Sequence, residues 1–575
     1  MSFGPRDRDA MVARLEAETF DLLVVGGGIT GAGIFRDAAL RGLKVGLVEM
    51  DDFASGTSSR SSKLVHGGLR YLENYQFGLV HESTTERTKL ERLAAHLVRP
   101  LPFLMPVWKD SKHGLEFMNL GLWLYDALSL FGVYRIHSRL GRKELIKAAP
   151  MVRQEGLTGG LLYYDAVTDD TRLTVENILG GRLAGGAVLS RARAEGAEFR
   201  DGRVASVTVR DLVTGRTLAV RAKSVIAAAG PWTESAQAAL GVVNGPRLRP
   251  TKGTHVIVPF DKAPFATAVV MVTPQDGRAA FIIPWHGATV IGTTDTDYEG
   301  DPANVFASRE DVDYLLAAAR YHFPGMTATA GDVIGTWAGL RPLLRSEGVS
   351  ESKVSREHFI HVDPRGIVTI AGGKLTTYRL MAKECLEALA PFLDAALPKP
   401  ITGHTPLPYR GDLSDVAARE AAIARLQSER GSIERPEATP APARDCCAIR
   451  SPAPACSGGV PEDIVRHLVN TYGAKAEALL ELAVATPALA ERLDPRWPYT
   501  GVEIAWAARE EMALTLIDAL CRRTLVFYLL GNRLEPAARK AAAIMSVELG
   551  WDAARIQAEV DGILRYQDRH LACVR

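Results

Sequence analysis

An α/β body followed by an all-helical domain is the fold this 575-residue chain predicts. Three observations predict it. "FDLLVVGGGITGAGIFRDAALRGLKVGLVEMDDF", residues 20–53, reads as a strand, a glycine turn, a helix and a second strand. Residues 248–301 are strand-rich, with "THVIVPF", "AAFIIPW" and "ATVIGTTDTDY" separated by turn residues. After a Pro-, Ala- and Ser-rich stretch at 429–460, the chain beyond Pro461 is almost wholly helix-forming.

Each element has a local reason. Leu22–Val25 is a short continuous apolar run, as in a parallel strand buried on both faces. Residues 171–195 have helical composition, and "SVIAAAGPW" (224–232) reads as a buried strand ending at a Gly-Pro turn. "GIVTIAGGKLTTYRLMAKECLEALAPFL" reads as strand, glycine turn and long helix, closing the body near residue 400. "EDIVRHLVNTYG", "AKAEALLELA", "GVEIAWAAREEMALTLIDALCRR" and "PAARKAAAIMSVELG" are the helices of a separate C-terminal domain at 461–575, with 401–460 as linker and insert.

Composition narrows the function. With 47% hydrophobic and 23% charged residues the chain has ordinary globular composition. Its 68 basic and 67 acidic residues leave a net charge of +1, so there is no whole-chain basic footprint for nucleic acid. Six cysteines in so long a chain make no disulfide framework, and no secretory signal precedes them, so the cell interior is expected. Cys446, Cys447 and Cys456 cluster without the CxxC pairs of a zinc site, and Asp295 and Asp297 in "GTTDTD" lack a ligand-spaced partner, so no metal is expected. The longest apolar stretch, Phe117–Ile136, is interrupted by Asn119 and Asp126 and falls short of a spanning helix, which needs about 20 apolar residues. Lys109, Lys112, His113, Arg135, Arg139, Arg142 and Lys143 flank it. Two readings stand: a buried helix of the body, or a helix lying on an anionic membrane surface.

The glycine turn is the first chemical motif. Gly26, Gly28 and Gly31 satisfy G-x-G-x-x-G between strand and helix, and Glu49 ends the second strand. Such glycines let backbone N–H groups approach a pyrophosphate at the helix N-terminus, while an acid at Glu49 accepts from a ribose hydroxyl and disfavours a 2′-phosphate. The following "DDFASGTSSRSSKLVHGG" is polar where a simple NAD domain proceeds to its next helix. Thr57, Ser58, Ser61 and Ser62 are expected to donate to a pyrophosphate and ribityl chain, with Lys63 and Leu64 along a flavin ring.

"GGGITGAG", "TSSRSSKLVHGGLRYLE", "AAAGPW", "KGTHVIVP", "IPW…IGTTDTDY", "WAGLRPL" and "AGGKLTTYR", in this order, resemble the FAD-dependent glycerol-3-phosphate dehydrogenases from about Phe20 to Arg379. "EIAWAAREEMALTLIDALCRRT" resembles that family's C-terminal domain. The resemblance implies an amino-acid-oxidase-like flavoprotein fold, with a Rossmann-like FAD-binding domain (mainly 18–96, 150–232 and 330–400) interleaved with a β-rich substrate domain (mainly 97–149 and 233–329). It implies oxidation of sn-glycerol 3-phosphate to dihydroxyacetone phosphate by hydride transfer from C2 to flavin N5. Electrons then go to a membrane quinone from a peripheral position on the inner face of the cell membrane. An oxidase making hydrogen peroxide from O2 is the alternative. The oligomeric state is open, a homodimer included.

Within those motifs, Arg70, Lys374 and Tyr71 are expected to hold the phosphate, with Arg356 either a further ligand or a surface cation. His255 is expected to be the general base, with a substrate hydrogen bond and a structural role as alternatives. Arg341 is expected to stabilise developing charge on the C2 oxygen. Gly230, Gly373, Thr376 and Thr377 complete the expected cofactor contacts.

Overall fold

The structure, a computed structural model, describes residues 3–73, 75–345, 357–413, 416–428 and 460–575. Its nucleotide-type sheet has six strands in the order His358–Asp363, Ile367–Gly372, Val225–Ala227, Leu22–Val25, Val45–Val48 and Ala187–Leu189. All neighbours are parallel except the edge pair His358–Asp363 with Ile367–Gly372. Leu22–Val25 and Val45–Val48 are buried at every residue, as central parallel strands covered on both faces must be. The helices Ile29–Leu40, Asp170–Leu183 and Tyr378–Leu389 share one hydrophobic cluster with this sheet.

The second sheet has ten strands. Its path runs Thr296–Asp297, Leu248–Pro259, Ala288–Gly292, Ala279–Trp285, Ala268–Val272, Arg99–Trp108, Leu157–Val167 and Leu64–Val65. Gly335–Leu344 and Ser138–Gly141 pair off that path. The lobes therefore interleave, but at boundaries other than those expected. Leu64–Val65, Leu157–Val167 and Gly335–Leu344 lie in blocks assigned to the FAD lobe and pair into the substrate sheet. Sheet membership is set by long-range register, which local composition does not encode.

The chain after residue 400 also departs from expectation. Val416–Ser428, within the expected linker, is a helix, and its Ile423 and Leu426 join Ile464, Val465 and Leu468 in the cluster of the nucleotide-type sheet. A second cluster joins Trp285, Trp337 and Tyr163 of the substrate lobe to Leu520, Tyr528 and Leu529. The helical C-terminal domain thus packs its apolar side chains against both lobes. Its amphipathic helices have apolar faces to bury, and the two lobes supply the complementary surface. The expected insert at 429–459 with its three clustered cysteines lies outside the described residues. Among the described residues no helix is long and apolar enough to cross a membrane, and no cluster of metal-ligating side chains occurs.

Candidate active site

A cavity of about 1730 Å³ runs from the glycine turn into the substrate sheet. At one end, Gly26 has φ +113°, and a Cβ there would sit 2.5 Å from the Ala228 carbonyl oxygen. A Cβ at Gly31 would lie 1.9 Å from the Gly26 oxygen. Glycine is required at both for the helix Ile29–Leu40 to start against the strand. Gly28, Ile29 and Thr30 present that N-terminus to the cavity, and Ser58 Oγ accepts from Ile29 N at 2.9 Å. Glu49 lies on the wall, its carboxylate accepting from Gly27 N (2.6 Å) and Asp51 N (2.8 Å). Burial outweighs those bonds and pushes its carboxyl up to about 7.

The serine segment is divided between cavity and wall. Thr57, Ser58, Ser61, Ser62 and Leu64 line the cavity. Thr57 Oγ1 donates to Leu340 O (2.6 Å), and Ser61 donates from N (3.1 Å) and Oγ (2.6 Å) to Asp170 Oδ2. These hydroxyls organise the wall as much as they face a ligand. Lys63 does not line the cavity, contrary to the expectation that it lies along the flavin. Its Nζ donates to Ser59 O and Asp170 Oδ1, both at 2.6 Å, and sits 5.1 Å from the Trp337 ring centroid, 1% exposed. A buried ammonium needs a counter-charge, and Asp170 supplies it from behind the wall.

Deeper in, His255 stands on Leu248–Pro259, stacked on Trp337 with ring centroids 5.2 Å apart. Its Nε2 is 2.8 Å from Ser62 Oγ, while Nδ1 is buried with no hydrogen-bond partner among the described residues. Burial first, then the cationic Arg341 and Lys63, holds the imidazole well below its ordinary pKa, so it is neutral at physiological pH. Arg341, opposite Thr251 in the neighbouring strand, also lines the cavity. Its guanidinium donates to Thr293 Oγ1 (3.1 Å), Thr294 O (3.2 Å) and Asp295 Oδ1 (2.9 Å). Asp295 is therefore the orienting partner of Arg341. Gly253 makes room, since a Cβ there would lie 2.6 Å from the guanidinium.

Across the cavity, Lys374 Nζ lies 3.7 Å from the Tyr71 ring centroid and 3.2 Å from Ser83 Oγ. Lys374, Tyr71, Gly230, Gly373 and Thr376 line the cavity. Thr376 Oγ1 accepts from His66 N at 3.2 Å, tying the two motifs together. Thr377 is buried, donates to Lys374 O at 3.4 Å and stays off the cavity wall, so it supports Lys374 rather than a ligand. Arg70 falls in the turn Leu69–Leu72 with its side chain outside the described residues, and Arg356 lies outside them altogether.

Sequence reasoning missed three features. Trp337 sits inside "WAGLRPL", where nothing local marks it, yet it orders both His255 and Lys63. Asp165 Oδ1 accepts from Gly67 N (3.2 Å), Tyr125 Oη (2.8 Å) and Arg87 Nη1 (2.5 Å), anchoring the Gly67-Gly68 turn. Phe117, Leu120 and Leu124 of the helix Leu115–Leu128 add apolar side chains to the cavity wall.

A glycine turn on a helix N-terminus, a buried acid after the second strand and a second glycine turn at 372–373 define a dinucleotide flavoprotein site, and residues 21–379 match the family model described as FAD dependent oxidoreductase. Residues 414–556 match the C-terminal domain of alpha-glycerophosphate oxidase. Over 561 residues the chain is 37% identical to glycerol-3-phosphate dehydrogenase 2 of Mycobacterium tuberculosis, covering 97% of this chain and 90% of that one. It is 36% identical over 530 residues to aerobic glycerol-3-phosphate dehydrogenase of Staphylococcus haemolyticus, covering 91% and 90%. The glycerol-3-phosphate dehydrogenase of Bacillus halodurans, solved with FAD, superimposes with a TM-score of 0.77 at 30% identity, covering 100% and 99%. The chain belongs to the FAD-dependent glycerol-3-phosphate dehydrogenase family. FAD is its cofactor, and the cradle of Gly26, Gly28, Glu49 and Gly373 fits it.

Proposed function

We propose that this protein oxidises sn-glycerol 3-phosphate to dihydroxyacetone phosphate and passes the electrons to a membrane quinone. The observation that carries the reading is one cavity with a cation and phenol at one place and a neutral imidazole with a guanidinium at another. Lys374 and Tyr71 hold the phosphate, joined in this reading by Arg70 and Arg356. A lone cation is a thin anchor for a dianion once desolvation is counted.

Bound FAD supplies the two-electron acceptor for the hydrogen leaving C2. His255 takes the hydroxyl proton on Nε2, the nitrogen beside Ser62 Oγ, since Nδ1 is buried. A base kept neutral by burial is ready at physiological pH. Arg341, fixed by Thr293, Thr294 and Asp295, donates to the C2 oxygen as negative charge grows there.

The surface helix supports the acceptor half of the reading. Phe117 is 60% exposed, Leu120 66% and Trp123 48%, and the following Leu130 is 74% exposed. Exposed Lys109, Lys112, Arg135, Arg142 and Lys143 surround this apolar patch, which suits an anionic lipid surface on the inner face of the cell membrane. Phe117, Leu120 and Leu124 also line the cavity, so an apolar acceptor from the bilayer has an apolar way in. The test is reoxidation of the substrate-reduced enzyme on anionic vesicles. Fast reoxidation by vesicle-borne quinone and slow reoxidation in air are expected. Fast reoxidation in air with stoichiometric peroxide would make it an oxidase.

A further inference from the structure

We propose that the C-terminal helical domain sets the affinity for FAD by clamping the segment between Glu49 and Gly56. This rests on the cofactor alone and not on the substrate reading. Glu49, Met50 and Ser55 of that segment line the cavity, whereas Asp52 and Phe53 turn away and are buried. Asp52 receives three hydrogen bonds from the C-terminal domain. Arg522 Nε (2.6 Å) and Arg523 Nη1 (2.8 Å) donate to Oδ2, and Arg523 Nη2 donates to Oδ1 (2.9 Å). Arg523 is itself held by the Glu511 carbonyl at 2.8 Å. Arg522 also pairs with Asp518, which accepts from Arg191 at 2.7 Å, and Arg191 pairs with Asp51. Arg522 and Arg523 are nearly or wholly buried.

The clamp reaches the phosphate cradle in one step. A Cβ at Gly27 would lie 3.0 Å from the Phe53 ring, so that ring packs directly under the glycine turn. Ala54 N donates to Gly27 O at 3.1 Å, and Gly27 N donates to Glu49. The turn is thus bonded to both ends of the segment whose middle the C-terminal domain holds. Phe53 stacks on Phe3 at 6.1 Å, and Phe3 O accepts from Met512 N at 2.9 Å, a second tie to the same domain. Apolar side chains would join two domains with less desolvation than this buried ion network. What the charges add is direction: a carboxylate with three charge-assisted bonds has one orientation, and the backbone on either side follows.

The test uses full-length apoprotein and two ligands, FAD and ADP, the latter carrying the adenosine and pyrophosphate but no ribityl chain or flavin ring. In Asp52→Asn, Kd for both is expected to rise about 10- to 100-fold, as loss of bonds to a charged group implies. A lower melting temperature with unchanged FAD and ADP affinity would overturn the proposal, leaving the network a domain-docking device. Should Asp52→Asn not fold, the wild-type chain still decides. Coupling is reciprocal, so FAD or ADP must in turn protect the clamp. Hydrogen exchange at residues 514–526 is expected to slow on adding either ligand, more than in the helix Ala476–Ala485 of the same domain. Equal or absent protection would overturn the proposal.

Discussion

Lys374→Met isolates the phosphate anchor. Lys374 Nζ lies 3.7 Å from the Tyr71 ring and 3.2 Å from Ser83 Oγ, so it is already positioned and its charge faces the cavity. At about 4 Å from a phosphate oxygen, one charge pair is worth about 4 kcal/mol at a near-surface dielectric. Desolvation of both partners offsets about half of that, leaving roughly 2 kcal/mol, or about 30-fold in KM. Steady-state rates with a soluble dye acceptor measure it, run with sn-glycerol 3-phosphate and with glycerol. The variant should raise KM for the phosphorylated substrate about 30-fold, hold kcat within about threefold, and leave kcat/KM for glycerol unchanged. An equal loss with both substrates, or a loss confined to kcat, would refute the assignment.

Four further outcomes follow from the same geometry. His255→Asn should lower kcat about 100- to 10,000-fold with FAD retained. Because burial, Arg341 and Lys63 favour the neutral imidazole, the wild-type acid limb of kcat/KM should lie well below the ordinary histidine range; a limb near 6.5 would contradict this. Glu49→Gln tests the raised carboxyl: the folded apoprotein holds its proton up to about 7 against an ordinary 4.5, so stability declines as pH rises through that window. The decline is worth about 3 kcal/mol and should vanish in the variant, read as the change in unfolding free energy between pH 5 and 8. Leu130→Asp with Phe131→Asp, two exposed positions off the cavity, should abolish co-sedimentation with anionic vesicles and the quinone rate on them, with dye reduction unchanged. Retained vesicle binding would remove the lipid-facing role.

What was legible in the sequence was what short-range pattern encodes. Gly26, Gly28, Gly31 and Glu49 announce a dinucleotide site because turn, helix start and acid have fixed spacing along the chain. Lys63 was misplaced because its counter-charge, Asp170, is 107 residues away, and nothing local distinguishes a buried paired lysine from one facing a flavin. Trp337 and Asp295 act through partners on other strands, so their roles appear only once the register of Gly335–Leu344 on Leu248–Pro259 is known. The apolar stretch after Phe117 was compatible with burial or with a lipid surface. Periodicity alone does not say which way an apolar face points, and here Leu120 points outward. The helices beyond Pro461 were plain from composition, but their packing against both lobes, and the Arg522 and Arg523 contacts to Asp52, depend on long-range contacts.

The central claim is that this cavity takes sn-glycerol 3-phosphate and oxidises it at C2. Anaerobic addition of that compound to the FAD-loaded enzyme, followed at the flavin absorbance near 450 nm, tests it directly. The account predicts rapid bleaching with stoichiometric dihydroxyacetone phosphate, and far slower bleaching with glycerol at the same concentration. An absorbance that does not change would contradict the substrate assignment while leaving the FAD site standing.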